Sequence, residues 1–202
     1  MKYHHGNLKE NLIDLAFSEC EQIGWENISL RNLSKKLNVS QTAPYRHFET
    51  KEDLLAEVAA KGFIKLKEGM DEGSDFLETG NAYINFALDF PNTYDLMLGT
   101  HLGHFGNYPN LAKAANSTFS DLTLDLKQHM LDLGNEDLSD KNVGEKAISI
   151  WALMHGMVGI LRKTLVVEEG HGDIGDGIVI AKRIKDDLES FLAKTVDNIL
   201  SN

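Results

Sequence analysis

Apolar residues recur at intervals of three and four positions along most of the chain, which is the spacing of one face of an α-helix. No strand-like alternation of apolar and polar residues extends beyond a few positions, and only three prolines interrupt the pattern. The pattern therefore predicts an all-α protein. Its helices are expected at residues 8–23, 29–37, 41–48, 51–67, 76–90, 94–98, 111–133, 141–163 and 178–200.

Two glycines, Gly69 and Gly73, lie among acidic residues after the fourth predicted helix and mark a break in the apolar pattern. We therefore expect an amino-terminal domain over residues 1–68 and a carboxy-terminal domain over residues 69–202. A chain of 202 residues with 42% hydrophobic residues is long enough to bury a hydrophobic core, either as one large domain or as two small ones.

The stretch from Ile28 to Leu55 predicts two short helices, a tight turn and the start of a third helix. Ser29 stands at an N-cap position before leucines at helical spacing, and Asn38 follows where the chain must reverse, a position that favours positive φ. Ser40 is the next predicted cap, and it opens an expected helix from Gln41 to Phe48.

Thr50 is predicted to cap the following helix, with Asp53 three residues on as the acidic partner of a capping box. This order of elements, with polar residues at the start of the second helix, is typical of the helix-turn-helix motif. In that motif the second helix enters the DNA major groove. The alternative is a generic three-helix bundle with a solvated basic face.

Charge supports the DNA-binding interpretation. Five basic residues against one acidic residue give residues 28–51 a net charge of +4, whereas the whole chain has a formal net charge of −11. A basic patch on an acidic protein is suited to neutralising phosphates at one end while discouraging indiscriminate DNA contact elsewhere.

The segment VSQTAPYRHFETKEDLL resembles the helix-turn-helix of the tetracycline-repressor-like (TetR) family of bacterial transcriptional regulators, and the resemblance extends from YHHGNLKENLIDLAF to about Gly62. The chain departs from the family pattern at Asn38, where Gly is common. Gln41, Thr42 and Tyr45 are expected to approach bases or the adjoining backbone. The residues expected mainly at phosphates are Ser29, Arg31, Ser40, His47 and Lys51, and Ala43 and Arg46 complete the predicted DNA-binding set.

The carboxy-terminal half contains WALMHGMVGILRK, in which Trp151 is followed after three residues by His155 and Gly156. This pattern, together with AYINFALDFPNTYDLM, is similar to the tryptophan-histidine-glycine (WHG) class of the same family. The aromatic content indicates a pocket for a small apolar or aromatic effector, although the same side chains could be a filled core. The predicted ligand-binding set is Tyr83, Phe86, Tyr94, Met97, Trp151 and His155.

The apolar stripe of the last predicted helix, which includes Leu188 and Val196, requires a partner surface. We expect that partner to be a second copy of the chain, with the helices at residues 141–163 and 178–200 forming a four-helix homodimer interface.

No metal or cofactor is expected. His101 and His104 lack accompanying carboxylate or cysteine ligands, and Cys20, the only cysteine, is expected to be a core residue. The short polar arm at residues 2–5 is a candidate for further DNA contact. No membrane span or signal peptide is predicted, so a cytoplasmic location is expected.

The leading hypothesis is a homodimeric repressor that binds double-stranded operator DNA and responds to a small molecule. A helical co-regulator that acts through protein contacts is the alternative. A helical enzyme is a third hypothesis, and it would need a catalytic constellation that the sequence does not provide.

Overall fold

The computed structural model describes residues 7–169 and 176–201, and these fold into α-helices joined by short turns. We label the helices in chain order as α1 (Leu8–Ile23), α2 (Leu30–Lys36), α3 (Lys51–Asp71), α4 (Phe76–Asp89), α5 (Pro91–Leu98), α6 (Pro109–Asp132), α7 (Asp140–Glu169), α8 (Asp176–Asp186) and α9 (Leu188–Leu200). Three-residue 3₁₀ turns lie at Trp25–Asn27, Pro44–Arg46 and Phe105–Asn107.

The prediction of an all-α protein is confirmed, because the described residues contain no strand. The first helix ends as predicted at Gly24, whose φ of 79° is easily adopted only by glycine. Helix α3 continues past Gly69 to Asp71, and α5 begins earlier than predicted because Pro91 occupies its first turn, where no N–H is needed. None of the described helices is long and apolar enough to cross a lipid bilayer.

The expected single helix from residue 178 to residue 200 is wrong. The chain forms two helices, α8 and α9, separated at Asp187, whose φ of −136° and ψ of 52° are not helical. Helix α7 extends to Glu169, beyond the predicted end at residue 163, and residues 170–175 lie outside the described residues. The amino-terminal arm at residues 2–5 lies outside them as well.

The helices group into two compact units. The first comprises Met1–Lys65 and Phe90–Thr118, and the second comprises Leu66–Asp89 and Phe119–Asn202. Helices α3 and α6 each contribute residues to both units. The functional division after residue 68 stays a prediction.

The first unit is built on α1, which packs against α2 and α5. Its core includes Leu12, Leu33, Leu54 and Met97, all of which are essentially inaccessible to solvent. Gly62 on α3 lies against α5, since a Cβ added there would come within 2.5 Å of the Met97 sulfur and 2.7 Å of the Thr93 methyl carbon. Close packing therefore ties α5 to the helices of the amino-terminal region.

The second unit packs α7 against α4, α8 and α9. Leu192 and Val196 of α9 are buried within this unit, and a Cβ at Gly80 of α4 would touch Met154 of α7 and Leu192. The Lys146 ammonium of α7 donates to the backbone carbonyl of Ile199, 2.8 Å away, at the end of α9. The expectation that the Val196 stripe needs a second subunit is therefore wrong, because α4 and α7 of the same chain cover it.

Replacing Thr50 with Ala should lower the free energy of unfolding by about 1 kcal/mol. The Thr50 hydroxyl accepts from the Asp53 amide at 3.1 Å, and the Asp53 carboxylate accepts from the Thr50 amide at 2.8 Å, which confirms the predicted capping box. Urea denaturation measures the change. Ser40→Ala is the matched control, because the Ser40 hydroxyl pairs only with the Thr42 hydroxyl among the described residues. An equal loss in both variants would contradict this role.

Candidate nucleic-acid interface and effector site

The turn after α2 has the geometry that a helix-turn-helix requires. Asn38 has a φ of 55° and is the non-glycine residue with positive φ in the described chain, which confirms the prediction for this position. Its amide donates to the carbonyl of Lys35 at 3.2 Å, and the amide of Val39 donates to that of Ser34 at 3.0 Å. The reversal therefore satisfies the carbonyls at the end of α2.

The segment after this turn, Ser40 to Phe48, is less regular than predicted, and the expected α-helix from Gln41 to Phe48 is wrong. Only Pro44–Arg46 forms a 3₁₀ turn, and the amide of Ala43 bonds the carbonyl of Ser40 at 3.0 Å. Pro44 has no N–H to complete an α-helical bond to that carbonyl, which explains the tighter geometry. We call Gln41–His47 the recognition segment.

The first unit holds all ten residues of the predicted DNA-binding set. Arg31, Ser40, Gln41, Thr42, Tyr45, Arg46 and His47 are exposed, whereas Ser29, Ala43 and Lys51 are half-buried. Tyr45 is 56% exposed, a large value for an aromatic side chain, while Pro44 and Phe48 beside it are buried. The recognition segment is thus anchored by two apolar residues and presents its polar residues to solvent.

Some basic side chains of this region are bonded to other residues, and others are not. The Lys36 ammonium lies 2.5 Å from the carboxylate of Glu19, which is nearly buried on α1, and the Lys51 ammonium donates to the carbonyl of Glu26. Arg31 and Arg46 are exposed and form no ion pair with any described residue, and the same is true of Lys35. These three cations are therefore available to phosphates.

Sequence reasoning missed the role of Glu21, whose carboxylate holds the start of α5. It accepts from the backbone amide of Thr93 at 2.7 Å and from that of Asn92 at 3.2 Å, and its own carbonyl accepts from the Asn92 side chain. An anion at a helix N-terminus satisfies unpaired amides and matches the helix dipole. Glutamate on a helix is too common in sequences to signal such a long-range contact.

The predicted ligand-binding set is divided between the two units. Tyr94 and Met97 are buried in the first unit, whereas Tyr83, Phe86, Trp151 and His155 belong to the second. The Trp151 indole N–H donates to the Tyr83 hydroxyl at 3.1 Å. Phe119, which is not in the predicted set, meets the Trp151 ring edge-on with centroids 6.4 Å apart. An aromatic cluster thus surrounds Trp151, with Tyr83 buried and Trp151 partly exposed.

Helix α7 has an exposed face without charge. No Asp, Glu, Lys or Arg occurs from Ala147 to Leu161, yet Ile148 is 50% exposed and Ile160 is 46% exposed. Gly156 and Gly159 share this stretch, and a Cβ at either would meet nothing within 4 Å. In α8, Val179 and Ile180 are also exposed. We call Ile148, Gly156, Gly159 and Ile160 of α7, together with Val179 and Ile180 of α8, the uncharged face.

Two family profiles match separate parts of this chain. The profile described as "Bacterial regulatory proteins, tetR family" matches residues 12–58, and the one described as "Tetracyclin repressor-like, C-terminal domain" matches residues 76–166. The first match contains α2, the recognition segment and most of α1, and the second runs from α4 into α7. The chain belongs to the tetR family of bacterial regulatory proteins. Its assignment to the tryptophan-histidine-glycine class stays a prediction.

Individual proteins support this assignment. The uncharacterized HTH-type transcriptional regulator YobS of Bacillus subtilis is 31% identical over 100 residues, which is 46% of this chain and 52% of that protein, so the chain spans about half the length of this relative. The matching profiles describe regulatory proteins, which agrees with the expectation of a non-enzymatic protein.

Solved structures show the same fold. A protein of unknown function from Rhodococcus sp. RHA1 is similar with a TM-score of 0.72 and 22% identity, covering 100% of this chain and 97% of that chain. The TetR family transcriptional regulator PfmR from Thermus thermophilus is similar with a TM-score of 0.55 and 19% identity, covering 95% of this chain and 97% of that chain. The predicted TetR-like architecture is therefore confirmed.

Two adjacent lysines should respond differently to replacement. Lys36→Met should lower the free energy of unfolding by about 1–2 kcal/mol, because it leaves the nearly buried Glu19 carboxylate without its cation. Lys35→Met should change it by less than about 0.5 kcal/mol, since Lys35 is exposed and unpaired among the described residues. Urea denaturation at neutral pH measures both. Equal losses would show that the ion pair to Glu19 does not stabilise the fold.

Proposed function

We propose that this protein is a homodimeric DNA-binding transcriptional regulator, and specifically a repressor that a small apolar or aromatic effector releases from a palindromic operator. The proposal rests chiefly on the exposed recognition segment, which follows the Asn38 turn. The same unit carries Arg31, Lys35 and Arg46, which form no ion pair with any described residue. A helix-turn-helix family matches this region.

The side chains of the recognition segment divide by chemistry into two groups. Gln41 and Thr42 combine donors and acceptors on short side chains, which suits them to base edges, and Tyr45 adds a ring with a polar tip. Arg31 and Arg46 carry the charge that phosphates require, and Lys51 keeps two N–H groups free beside the one given to the Glu26 carbonyl. Phosphate contacts then fix orientation, while Gln41 and its neighbours select the sequence.

Replacing Lys51 with Ala should weaken binding to all DNA sequences alike and reduce the slope of log affinity against log salt by about one. Gln41→Ala should instead change the preference between operator variants and leave the salt slope unchanged. Footprinting upstream of the neighbouring genes first supplies the operator, and salt titrations by fluorescence anisotropy then compare both variants with the unaltered protein. A Lys51→Ala protein with altered base preference and an intact slope would refute the assignment. Absence of any footprint would favour the co-regulator alternative.

The uncharged face is our proposed dimer interface. Exposed apolar side chains on neighbouring helices are characteristic of protein interfaces, and small residues such as Gly156 and Gly159 let a second helix approach closely. His155 is exposed on the same side of α7, one turn from Gly159. Two copies related by a two-fold axis would carry two recognition segments, which matches a palindromic operator with half-sites about 34–36 Å apart.

Ile160→Glu should shift the protein from dimer to monomer, with the dimer dissociation constant raised by at least about a hundredfold, because a charge would be buried in an apolar interface. Operator affinity should fall with it. Light scattering after size exclusion measures the mass. Leu124→Glu is the matched control, since Leu124 is 64% exposed on α6 and lies outside the uncharged face. A monomer that still binds operator tightly would defeat the proposal.

The aromatic cluster around Trp151 is our proposed effector site. Trp151 is partly exposed, Tyr83 and Phe86 are buried in the same unit, and Phe119 borders the indole edge-on. Such rings provide apolar walls, and the Trp151–Tyr83 hydrogen bond supplies a polar pair that an effector could use or replace. The proposal therefore depends on Tyr83, Phe86 and Trp151, three of the predicted residues, together with Phe119.

An aromatic effector should bind more weakly when operator DNA is present. Allosteric coupling is reciprocal, and a coupling of about 1–3 kcal/mol corresponds to roughly 5- to 150-fold in affinity. Calorimetric titration of 2-naphthol, a simple aromatic probe, into the protein with and without operator measures it, with Trp151→Ala as the variant that should lose binding. Identical affinities with and without DNA would exclude coupling through this site.

A further inference from the structure

One boundary between the two compact units falls, along the chain, between α4 and α5. Helix α4 ends at Asp89 in the second unit, α5 begins at Pro91 in the first unit, and only Phe90 separates the two helices. Phe90 has a φ of −124° and a ψ of 56°, which are not helical values. We call Phe90–Thr93 the corner. Helix α4 is thus joined to α5 through one non-helical residue.

The start of α5 obtains its hydrogen bonds from another helix. The first amides of an α-helix have no acceptor within that helix, and the side chain at the N-cap commonly supplies one. Phe90 occupies the N-cap of α5, and its side chain makes no such bond. The Glu21 carboxylate of α1 accepts instead, with one oxygen 2.7 Å from the Thr93 nitrogen and the other 3.2 Å from the Asn92 nitrogen. The cap of α5 is therefore a residue of α1.

Ring contacts hold the same corner within the first unit. The centroids of the Phe90 and Phe17 rings are 5.7 Å apart, and the Lys65 ammonium of α3 lies 5.0 Å from the Phe90 centroid. Phe17 and Glu21 are one helical turn apart and so share a face of α1. This face of α1 therefore contacts both the side chain of Phe90 and the backbone of the first turn of α5.

Helix α1 also supports the helix-turn-helix. Its Glu19 carboxylate pairs with Lys36 of α2, and the helix packs against the Pro44–Arg46 turn of the recognition segment. Helix α5 has eight residues, and a helix of this length has little stability of its own, so its position depends on such contacts. A shift of the corner relative to α1 would therefore act on the helix that supports the recognition segment.

Helix α4 connects the corner to the proposed effector site. Tyr83 and Phe86 of the aromatic cluster belong to α4, and Tyr83 precedes Phe90 by about two helical turns. The Tyr83 hydroxyl accepts from the Trp151 indole N–H at 3.1 Å. An effector that replaces this hydrogen bond would move α4, and the displacement would pass along the helix to Phe90.

We propose that Glu21 is the positioning residue through which the effector controls the DNA-binding unit. In the operator-bound protein, the Glu21 carboxylate holds the corner on α1. Effector binding at the aromatic cluster shifts α4 and breaks the hydrogen bonds from the Asn92 and Thr93 amides to Glu21. The inference rests on the proposed function, because it concerns how the proposed effector site and the recognition segment are coupled.

Hydrogen exchange of the Asn92 and Thr93 amides, measured by NMR on the full-length protein, reports the state of the corner. Operator DNA identified by footprinting should slow their exchange at least about fivefold in the unaltered protein, the lower limit of typical allosteric couplings. Glu21→Ala should speed the exchange of both amides without DNA and remove the response to operator. Glu21→Gln keeps one acceptor oxygen, so it should retain part of that response.

The operator dissociation constant with and without saturating 2-naphthol, measured by fluorescence anisotropy, tests the coupling itself. The ratio of the two constants should fall to within about twofold of one in Glu21→Ala. Calorimetry should show that 2-naphthol still binds this variant in the absence of DNA, which separates loss of coupling from loss of the effector site. Glu10→Ala is the matched control, since Glu10 is an exposed glutamate of the same helix that lies outside the corner contacts, and it should keep the ratio of the unaltered protein.

The inference would be overturned by corner amides that exchange equally with and without bound operator. A Glu21→Ala protein that keeps the full ratio of dissociation constants would overturn it as well, while the proposed function would stand. Equal loss of coupling in Glu10→Ala would show that the charge of α1 matters rather than the bond to α5. An unaltered protein that binds no operator, or whose ratio is one, would instead refute the proposed regulation and this inference together.

Discussion

Two acidic side chains near the end of α1, those of Glu19 and Glu21, hold other helices of the first unit in place. A carboxylate taken out of water must be met by donors, and Glu19 and Glu21 obtain theirs from distant parts of the chain. Glu19 takes the ammonium of Lys36, which fixes α2, and Glu21 takes the amides of Asn92 and Thr93, which fixes the start of α5. Helix α1 is therefore the element against which both α2 and α5 are set.

This arrangement explains why the packed unit is discontinuous in sequence. Residues 90–118 join the helix-turn-helix because Glu21 bonds the start of α5 and because Gly62 admits Thr93 and Met97 against α3. A change in the position of α5 would act directly on the backbone of α1 through the Asn92 side chain, which donates to the Glu21 carbonyl. The chain thus has a short physical route between α5 and the surface that carries the recognition segment.

The sequence predicts well those features that depend on neighbouring residues. The end of α1 at Gly24, the positive φ of Asn38 and the Thr50–Asp53 capping box each follow from local stereochemistry. The recognition segment is not a regular helix because the missing N–H of Pro44 outweighs the helical spacing around it. The sequence pattern also shows that the last helix has an apolar face, but it does not show which surface covers that face. A second subunit and helices α4 and α7 of the same chain would give the same pattern, and it is α4 and α7 that bury the Val196 stripe. The Glu21 contact spans about seventy residues and leaves no local signal.

The positions of the two tryptophans make the protein a convenient spectroscopic system. The Trp25 ring contacts the His101 ring in the first unit, with centroids 4.2 Å apart and planes tilted by 40°, and the Trp151 indole N–H donates to the Tyr83 hydroxyl in the second unit. Because the chain has two tryptophans, a Phe replacement of either leaves an emission spectrum that reports one unit alone. Quenching and anisotropy decays of the two single-tryptophan proteins would therefore separate the motions of the first unit from those of the second unit without any attached dye.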